Sequence, residues 1–133
     1  IELILECDEK AKVCGNENRL TQVLLALISN SKDAILDRQE TEKIDGVIRV
    51  ALRKQDKQIV IDVADNGKGA NETTLQKMFD AYYTTKHAGA GTGLGLHMTK
   101  AIIERNMCGQ IRAKNVKSGG LCVSIILEGH NDG

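Results

Sequence analysis

The chain has 133 residues and a formal net charge of zero, with 18 basic and 18 acidic side chains. Hydrophobic residues make up 41% of it and only 2% are aromatic, which excludes wholesale disorder and predicts one globular domain with an aliphatic core. The balanced charge argues against nucleic acid as a partner, and no apolar run has the ~20 residues of a membrane span.

Strands are predicted on both sides of a long helical stretch in the first half of the chain. Short strands are expected at Glu2–Cys7 and at 12–14. After the helix and a polar linker at Asp37–Gly46, the alternation of apolar residues predicts a hairpin. Its two strands are Val47–Leu52 and Gln58–Val63.

The long helix is predicted from apolar side chains that recur every three or four residues and form one buried stripe. The stripe consists of Leu20, Val23, Leu24, Leu27, Ile28, Ala34 and Ile35. On the same helix, Ala26, Asn30 and Asp33 fall at the edge of the stripe. A residue at that edge can line a cleft.

The second half of the chain alternates helices, a glycine-rich loop and strands. Asn71 is expected to cap a short helix that carries Leu75, Met78 and Phe79. Residues 81–93 are small, polar and glycine-rich, which predicts a mobile loop. A helix at Gly93–Met107 and strands at Gln110–Asn115 and Leu121–Leu127 follow. This mixed order predicts a two-layer α/β sandwich.

Three segments could carry chemistry, and each alone also has a plain structural interpretation. Asn30 offers an amide oxygen that suits Mg²⁺, or is simply a residue on a helix flank. Asp65–Gly69 could accept a hydrogen bond from an exocyclic amine, or be an ordinary Asx-type turn. Gly91–Leu96 opens a helix whose free N–H groups favour phosphate, or is a flexible hinge; it matches neither the dinucleotide fingerprint nor a Walker A motif.

Together and in this order, these segments resemble the catalytic and ATP-binding domain of sensor histidine kinases, in the superfamily that includes gyrase and MutL. The matching segments are the N box at 18–25 and 30–34, the G1 box at Asp65–Gly69, the F box at Met78–Lys86 and the G2 box at Gly91–Leu96. The resemblance spans residues 1–128, the expected domain, and leaves 129–133 as a frayed tail. It implies an α+β Bergerat fold: a mixed, mostly antiparallel sheet of about five strands, covered on one face by three helices.

The resemblance also implies ATP and Mg²⁺ as cofactors. Asn30 would hold Mg²⁺, and Asp65 would bind the adenine amine. Lys86 would reach the γ-phosphate from a lid, where a cation stabilises the charge that develops in phosphoryl transfer. The other expected ATP-binding residues are Asp33, Gly67, Gly69, Thr85, Gly91, Thr92, Gly93, Leu94, Gly95 and Leu96.

The resemblance further implies transfer of the γ-phosphoryl group to a histidine in two-component signalling. Relatives that act on water or serine carry Glu four residues before the metal-binding Asn, where it can act as a general base. Here that residue is Ala26, so we expect no general base in the chain. Neutral imidazole needs less help as a nucleophile, which argues against an ATPase or an anti-sigma-type serine kinase. A nucleotide-gated interaction module without transfer is the other alternative.

We expect the phosphorylated histidine to lie outside this chain. His87, His97 and His130 are not in a phosphoacceptor motif, which requires a proline, and the chain has none. The isolated chain is therefore expected not to autophosphorylate. Its expected partners are the phosphoacceptor and dimerisation helices of the same homodimeric parent kinase and a response regulator, with no nucleic acid and no membrane contact.

Two further expectations concern location and loop mobility. Four cysteines without a C-x-x-C pair favour a cytoplasmic domain, and we expect it to be part of a longer protein, for which a membrane anchor stays open. The family usually has proline in the G1 box and the F box, where this chain has Lys68 and Ala81. Both loops, and the lid in particular, are therefore expected to be mobile without nucleotide.

Overall fold

The computed structural model describes residues 1–7, 17–80, 95–117 and 119–128. These residues form one sheet with helices packed on one face. The elements in chain order are β1 (Glu2–Cys7), α1 (Glu17–Gln39), β2 (Val47–Gln55), β3 (Gln58–Asp65), α2 (Glu72–Lys77), α3 (Gly95–Ala101) with a π-helical continuation (Ile102–Asn106), β4 (Gln110–Asn115) and β5 (Leu121–Glu128).

The sheet has five strands in the order β1-β2-β3-β5-β4, which confirms the predicted fold class. Strand β1 is parallel to β2, and the other three pairs are antiparallel. Strands β2 and β3 pair as far as Gln55 opposite Gln58, so the hairpin turn is Asp56–Lys57, shorter than predicted. Asp56 has φ 57°, a left-handed conformation that aspartate tolerates. The central position of β3 places its carboxyl end beneath the helical layer.

The core lies between α1 and the centre of the sheet. The predicted stripe of α1 is confirmed: Val23, Leu27 and Ile35 are fully buried. Ile61 and Val63 of β3 face them, because alternate residues of a strand point to the same side of the sheet. A polar residue, Ser31, lies on the same stripe and is also buried. This polar position in the helix–sheet interface needs a hydrogen-bond partner.

Helix α1 is longer than the sequence predicts. The linker was expected from Asp37, but the helix continues to Gln39. Its last turn is held by contacts with the chain beyond β3: the side chains of Asp37 and Arg38 both bind there. Tertiary contacts therefore extend the helix past the point where its apolar stripe ends.

The helix after residue 94 also ends differently from a simple α-helix. The N–H of Met107 donates to the carbonyl of Ile102, five residues back, so the last turn is π-helical. The residue with left-handed backbone is Cys108, with φ 52°, rather than Gly109. A Cβ on Gly109 would lie 2.6 Å from the carbonyl oxygen of Ile126, so glycine is needed there for close packing against β5.

The short helix α2 begins as predicted. The side chain of Asn71 accepts a hydrogen bond of 2.8 Å from the N–H of Thr74, which is the N-cap geometry. Met78 at its end is buried, with Leu75 and Phe79 packed against the core. The strand predicted at 12–14, the loop predicted at 81–93 and the tail at 129–133 lie outside the described residues. Of the helices described, none combines the length and apolarity needed to cross a membrane.

Leu27→Ala is expected to lower the free energy of unfolding by about 2–5 kcal/mol, because it leaves a cavity against the sheet. The control is Leu25→Ala on the same helix, where the side chain is 63% exposed. That change should cost no more than about 0.5 kcal/mol. Urea denaturation followed by circular dichroism measures both, and similar losses in the two variants would contradict this assignment of the buried face.

Candidate functional site

The candidate site is built around the carboxylate of Asp65, the last residue of β3. Its side chain is buried, with only 6% of the residue exposed. Its Oδ1 accepts hydrogen bonds from the N–H of Gly67 at 2.9 Å and of Leu121 at 3.3 Å. The side chain of Ser31 on α1 donates a third hydrogen bond to the carboxylate. Burial raises the pKa of Asp65 above its ordinary value, and these three hydrogen bonds oppose part of that rise.

The G1 loop, Asp65–Gly69, lies directly on the backbone of α1. A Cβ on Gly67 would come within 2.6 Å of the carbonyl carbon of Ala34, so any larger residue would push the loop away from the helix. The N–H of Lys68 donates to the carbonyl of Ala34 at 3.2 Å. Glycine at position 67 therefore permits direct contact between loop and helix, while the ATP-binding role expected of Gly67 stays a prediction.

The turn between β4 and β5 closes the other side of the loop. Gly120 has φ 98°, and a Cβ there would overlap the carbonyl oxygen of Asp65. This close approach is what brings the N–H of Leu121 to the carboxylate. The side chain of Asn115 pairs with the backbone of Ala70 just after the loop, accepting from its N–H at 2.9 Å and donating to its carbonyl at 2.5 Å. Gly69, with φ 71°, packs against the same asparagine.

Lys68 occupies the position where proline is usual in the resembling family, and it is tied to α1. Its Nζ lies 2.8 Å from Oδ2 of Asp37 in a half-exposed ion pair, an interaction that stabilises by roughly 0–1 kcal/mol. Asn66 fixes the loop from the opposite side. It accepts from the N–H of Val47 and donates to the carbonyl of Asp45, both at 2.8 Å. The G1 loop thus has several anchors, although it lacks the proline that is usual in that family.

Asn30 and Asp33 lie on α1, next in sequence to Ser31 and Ala34, which contact Asp65 and the G1 loop. Both are half-buried, and Asn30 immediately precedes Ser31, which contacts Asp65. Ala26 is half-buried one turn before Asn30. An amide oxygen on this flank fits Mg²⁺, which takes oxygen ligands and commonly binds few protein groups. Within the described ranges, no group of three or more His, Cys, Asp or Glu side chains could hold a metal.

The predicted phosphate-side residues are only partly within the described structure. Thr85, Lys86, Gly91, Thr92, Gly93 and Leu94 lie outside it. Gly95 begins α3, and Leu96 is half-buried against the core. Nδ1 of His97 lies 3.2 Å from the carbonyl oxygen of Phe79, so the segments on either side of 81–94 meet. The roles of the six residues outside the description stay predictions.

Three residues that build the site were not predicted from the sequence. Ser31 binds the carboxylate, Asn66 anchors the loop, and Arg38 donates to the loop backbone. For Ser31 a signal was available, because a hydroxyl on the buried stripe of an amphipathic helix requires a partner. The partners of Arg38 lie 28 and 29 residues away, and nothing in the local pattern indicates them.

The chain is similar in sequence to known proteins. The family model described as histidine kinase-, DNA gyrase B-, and HSP90-like ATPase matches residues 15–131. The two-component sensor PprA of Pseudomonas aeruginosa is 31% identical over 115 residues, 86% of this chain and 12% of that protein. The sensor histidine kinase ZraS of Salmonella typhimurium is 36% identical over 128 residues, 96% of this chain and 26% of that protein. The chain thus spans only about an eighth and about a quarter of the length of these two relatives.

Solved structures with the same fold agree with this match. The catalytic domain of histidine kinase ThkA superposes with a TM-score of 0.79 at 26% identity, covering 96% of this chain and 79% of that one. Full-length ShkA, solved in complex with AMPPNP, has a TM-score of 0.80 at 20% identity and covers 98% of this chain and 26% of that one. At 20% identity, the similarity to ShkA shows a shared fold and nothing more.

Asp65→Asn is expected to remove a loss of stability that the wild type shows as the pH rises. Because the pKa of Asp65 is raised by folding, its contribution to the free energy of unfolding is full below the unfolded pKa of about 3.9 and falls as the pH rises through the folded pKa. The wild type should therefore lose stability relative to Asp65→Asn as the pH rises above about 4. Urea denaturation at stepped pH measures this.

The matched control is Asp56→Asn, which removes an exposed carboxylate from the hairpin turn. Because this side chain stays in contact with water, the variant should not reproduce the pH-dependent difference expected of Asp65→Asn. A constant difference for Asp65→Asn would contradict the burial of its carboxylate.

Proposed function

Because the chain belongs to the histidine kinase-, DNA gyrase B-, and HSP90-like ATPase family, we propose that it binds Mg-ATP and donates the γ-phosphoryl group to a histidine on phosphoacceptor helices outside this chain. One observation carries the proposal: a buried carboxylate at the end of β3 whose donors fix its orientation. Several relatives of the chain are named as histidine kinases, which supports the kinase assignment.

Asp65 would recognise the adenine base. A carboxylate only accepts hydrogen bonds when ionised, so it favours a base that presents an amine and disfavours one that presents a carbonyl oxygen at the same position. In a buried site this preference is strong, because an unmatched polar group cannot turn to water. Gly67 would act by letting the loop lie on the backbone of α1, and Gly69 by taking the left-handed conformation, φ 71°, at the end of the loop. Both would set the shape of the loop backbone beside the carboxylate.

The phosphate end would be held by the flank of α1 and by the segment that leads into α3. Asn30 would ligate Mg²⁺, and the half-buried Asp33 lies within one turn of it. When bound, Mg²⁺ neutralises charge on the phosphate oxygens during transfer. We assign phosphate contacts to Thr85, Gly91–Leu94 and the start of α3 at Gly95–Leu96. Lys86 would stabilise the charge that develops on the transferred group.

The nature of the acceptor follows from Ala26. Its methyl group can neither abstract a proton nor orient a water molecule, and it lies one turn before Asn30. A neutral imidazole carries its own lone pair and needs no proton removed before attack. Phosphorylation of histidine is therefore the reaction this flank of α1 suits best. By the same proposal the chain works with the dimerisation helices of its parent and a response regulator, in the cytoplasm.

The experiment is a phosphotransfer assay with radiolabelled ATP and the 133-residue chain, with and without the phosphoacceptor helices of its parent protein. We expect label on the helices, stable to base and labile to acid as phosphohistidine is, and none on the chain alone. Asn30→Asp should abolish transfer, because it alters the metal ligand. The matched control is Asn71→Asp, the same chemical change at a helix N-cap, where aspartate caps equally well. It should transfer normally.

Three results would contradict parts of this proposal. Label on the isolated chain would place the acceptor within it. Retained transfer in Asn30→Asp would remove Asn30 as the metal ligand. Tight ATP binding by the wild type with no label on the helices would instead indicate a nucleotide-gated interaction module.

A further inference from the structure

Arg38, at the end of α1, binds the backbone of the G1 loop. Its Nη1 donates to the carbonyl oxygen of Asn66 at 2.9 Å and to that of Gly67 at 3.3 Å. Its Nε lies 2.6 Å from Oε2 of Glu42, one turn away, which fixes the direction of the guanidinium. The turn before β5 covers it, since a Cβ on Gly119 would lie 2.9 Å from Nη1. The arginine side chain is only 27% exposed.

The first of these contacts is linked directly to Asp65. The carbonyl of Asn66 and the N–H of Gly67 belong to one peptide unit, and a peptide unit is planar and rigid. Arg38 donates to the oxygen of this unit at 2.9 Å. The N–H of the same unit, that of Gly67, donates to Oδ1 of Asp65, also at 2.9 Å. One rigid group therefore connects the guanidinium to the buried carboxylate. A cation on the carbonyl also polarises the peptide and strengthens its N–H as a donor.

We infer that Arg38 is a positioning residue for base recognition: it holds the Asn66–Gly67 peptide in the orientation that fixes the carboxylate of Asp65. This inference rests on the proposed binding of adenine by Asp65. Arg38 touches neither base nor phosphate in this scheme, and acts only through the peptide. Glu42 acts one step further out, by anchoring the guanidinium.

The experiment compares two nucleotides by isothermal titration calorimetry with the full chain. ATP carries an amine at the position where inosine triphosphate carries a carbonyl oxygen, so the ratio of their dissociation constants reports recognition by Asp65. In Arg38→Gln we expect ATP to bind about fivefold to tenfold more weakly, the effect of losing one charge-assisted hydrogen bond. Binding of inosine triphosphate should change less than about twofold, because the phosphate contacts do not involve the peptide.

Three further variants separate positioning from general stability. Arg38→Lys keeps the charge without the forked donor and should fall between wild type and Arg38→Gln. Glu42→Gln leaves Arg38 in place but removes its anchor. It should also weaken the binding of ATP relative to inosine triphosphate, and it replaces Arg38→Gln in the test if that variant folds poorly. The matched control is Arg53→Gln, an arginine whose ion pair with Asp62 lies on the opposite face of the sheet. It should leave both affinities unchanged.

The outcomes for the inference and for the proposed function are distinct. A wild type that does not prefer ATP over inosine triphosphate would overturn the adenine site itself. A wild type that prefers ATP, with the same preference in Arg38→Gln and Glu42→Gln, would overturn the role of Arg38. Equal weakening of both nucleotides together with a lower melting temperature would also overturn it, since that is the result of a purely structural residue.

Discussion

A carboxylate taken out of water at the end of a central strand is costly unless hydrogen-bond donors replace the water. At Asp65 those donors come from three separate parts of the chain: the hydroxyl of Ser31 on α1, the N–H of Gly67 in the G1 loop and the N–H of Leu121 at the start of β5. The carboxylate can therefore be buried only when α1, the G1 loop and strand β5 have all assembled around it. The candidate site is in this sense a product of the complete fold.

The need to bring these donors to Asp65 also explains why glycine is required at two positions nearby. Gly67 lets the loop rest on the backbone of α1, and Gly120 lets the β4–β5 turn reach the backbone of Asp65. Larger residues would separate the donors from the carboxylate. Arg38 and the Lys68–Asp37 ion pair then hold the loop to the end of α1. The contacts that stabilise this corner are also those that orient an acceptor for a base.

Much of this could be predicted from the sequence, because the signals were local. The apolar period of α1, the alternation of the strands and the cap at Asn71 predicted the layers, and the order of the motifs predicted the family that the family model confirms. The supports of the site depend on contacts between residues far apart in the sequence, such as Asp65 and Leu121, which are 56 positions apart. The same is true of the last turn of α1, which was wrongly predicted as linker. The lid residues, Lys86 among them, stay predictions.

If Asp65 and the amides bound to it form the adenine site, binding of Mg-ATP must change the surroundings of those amides. The most direct test is a titration of the ¹⁵N-labelled chain with Mg-ATP, followed by two-dimensional NMR. The amide resonances of Gly67 and Leu121 should shift in the wild type and not in Asp65→Asn, while those of Ile4 and Leu5 in the edge strand β1 stay in place. Binding of Mg-ATP with shifts that spare Gly67 and Leu121 would show that the adenine base binds elsewhere in the chain.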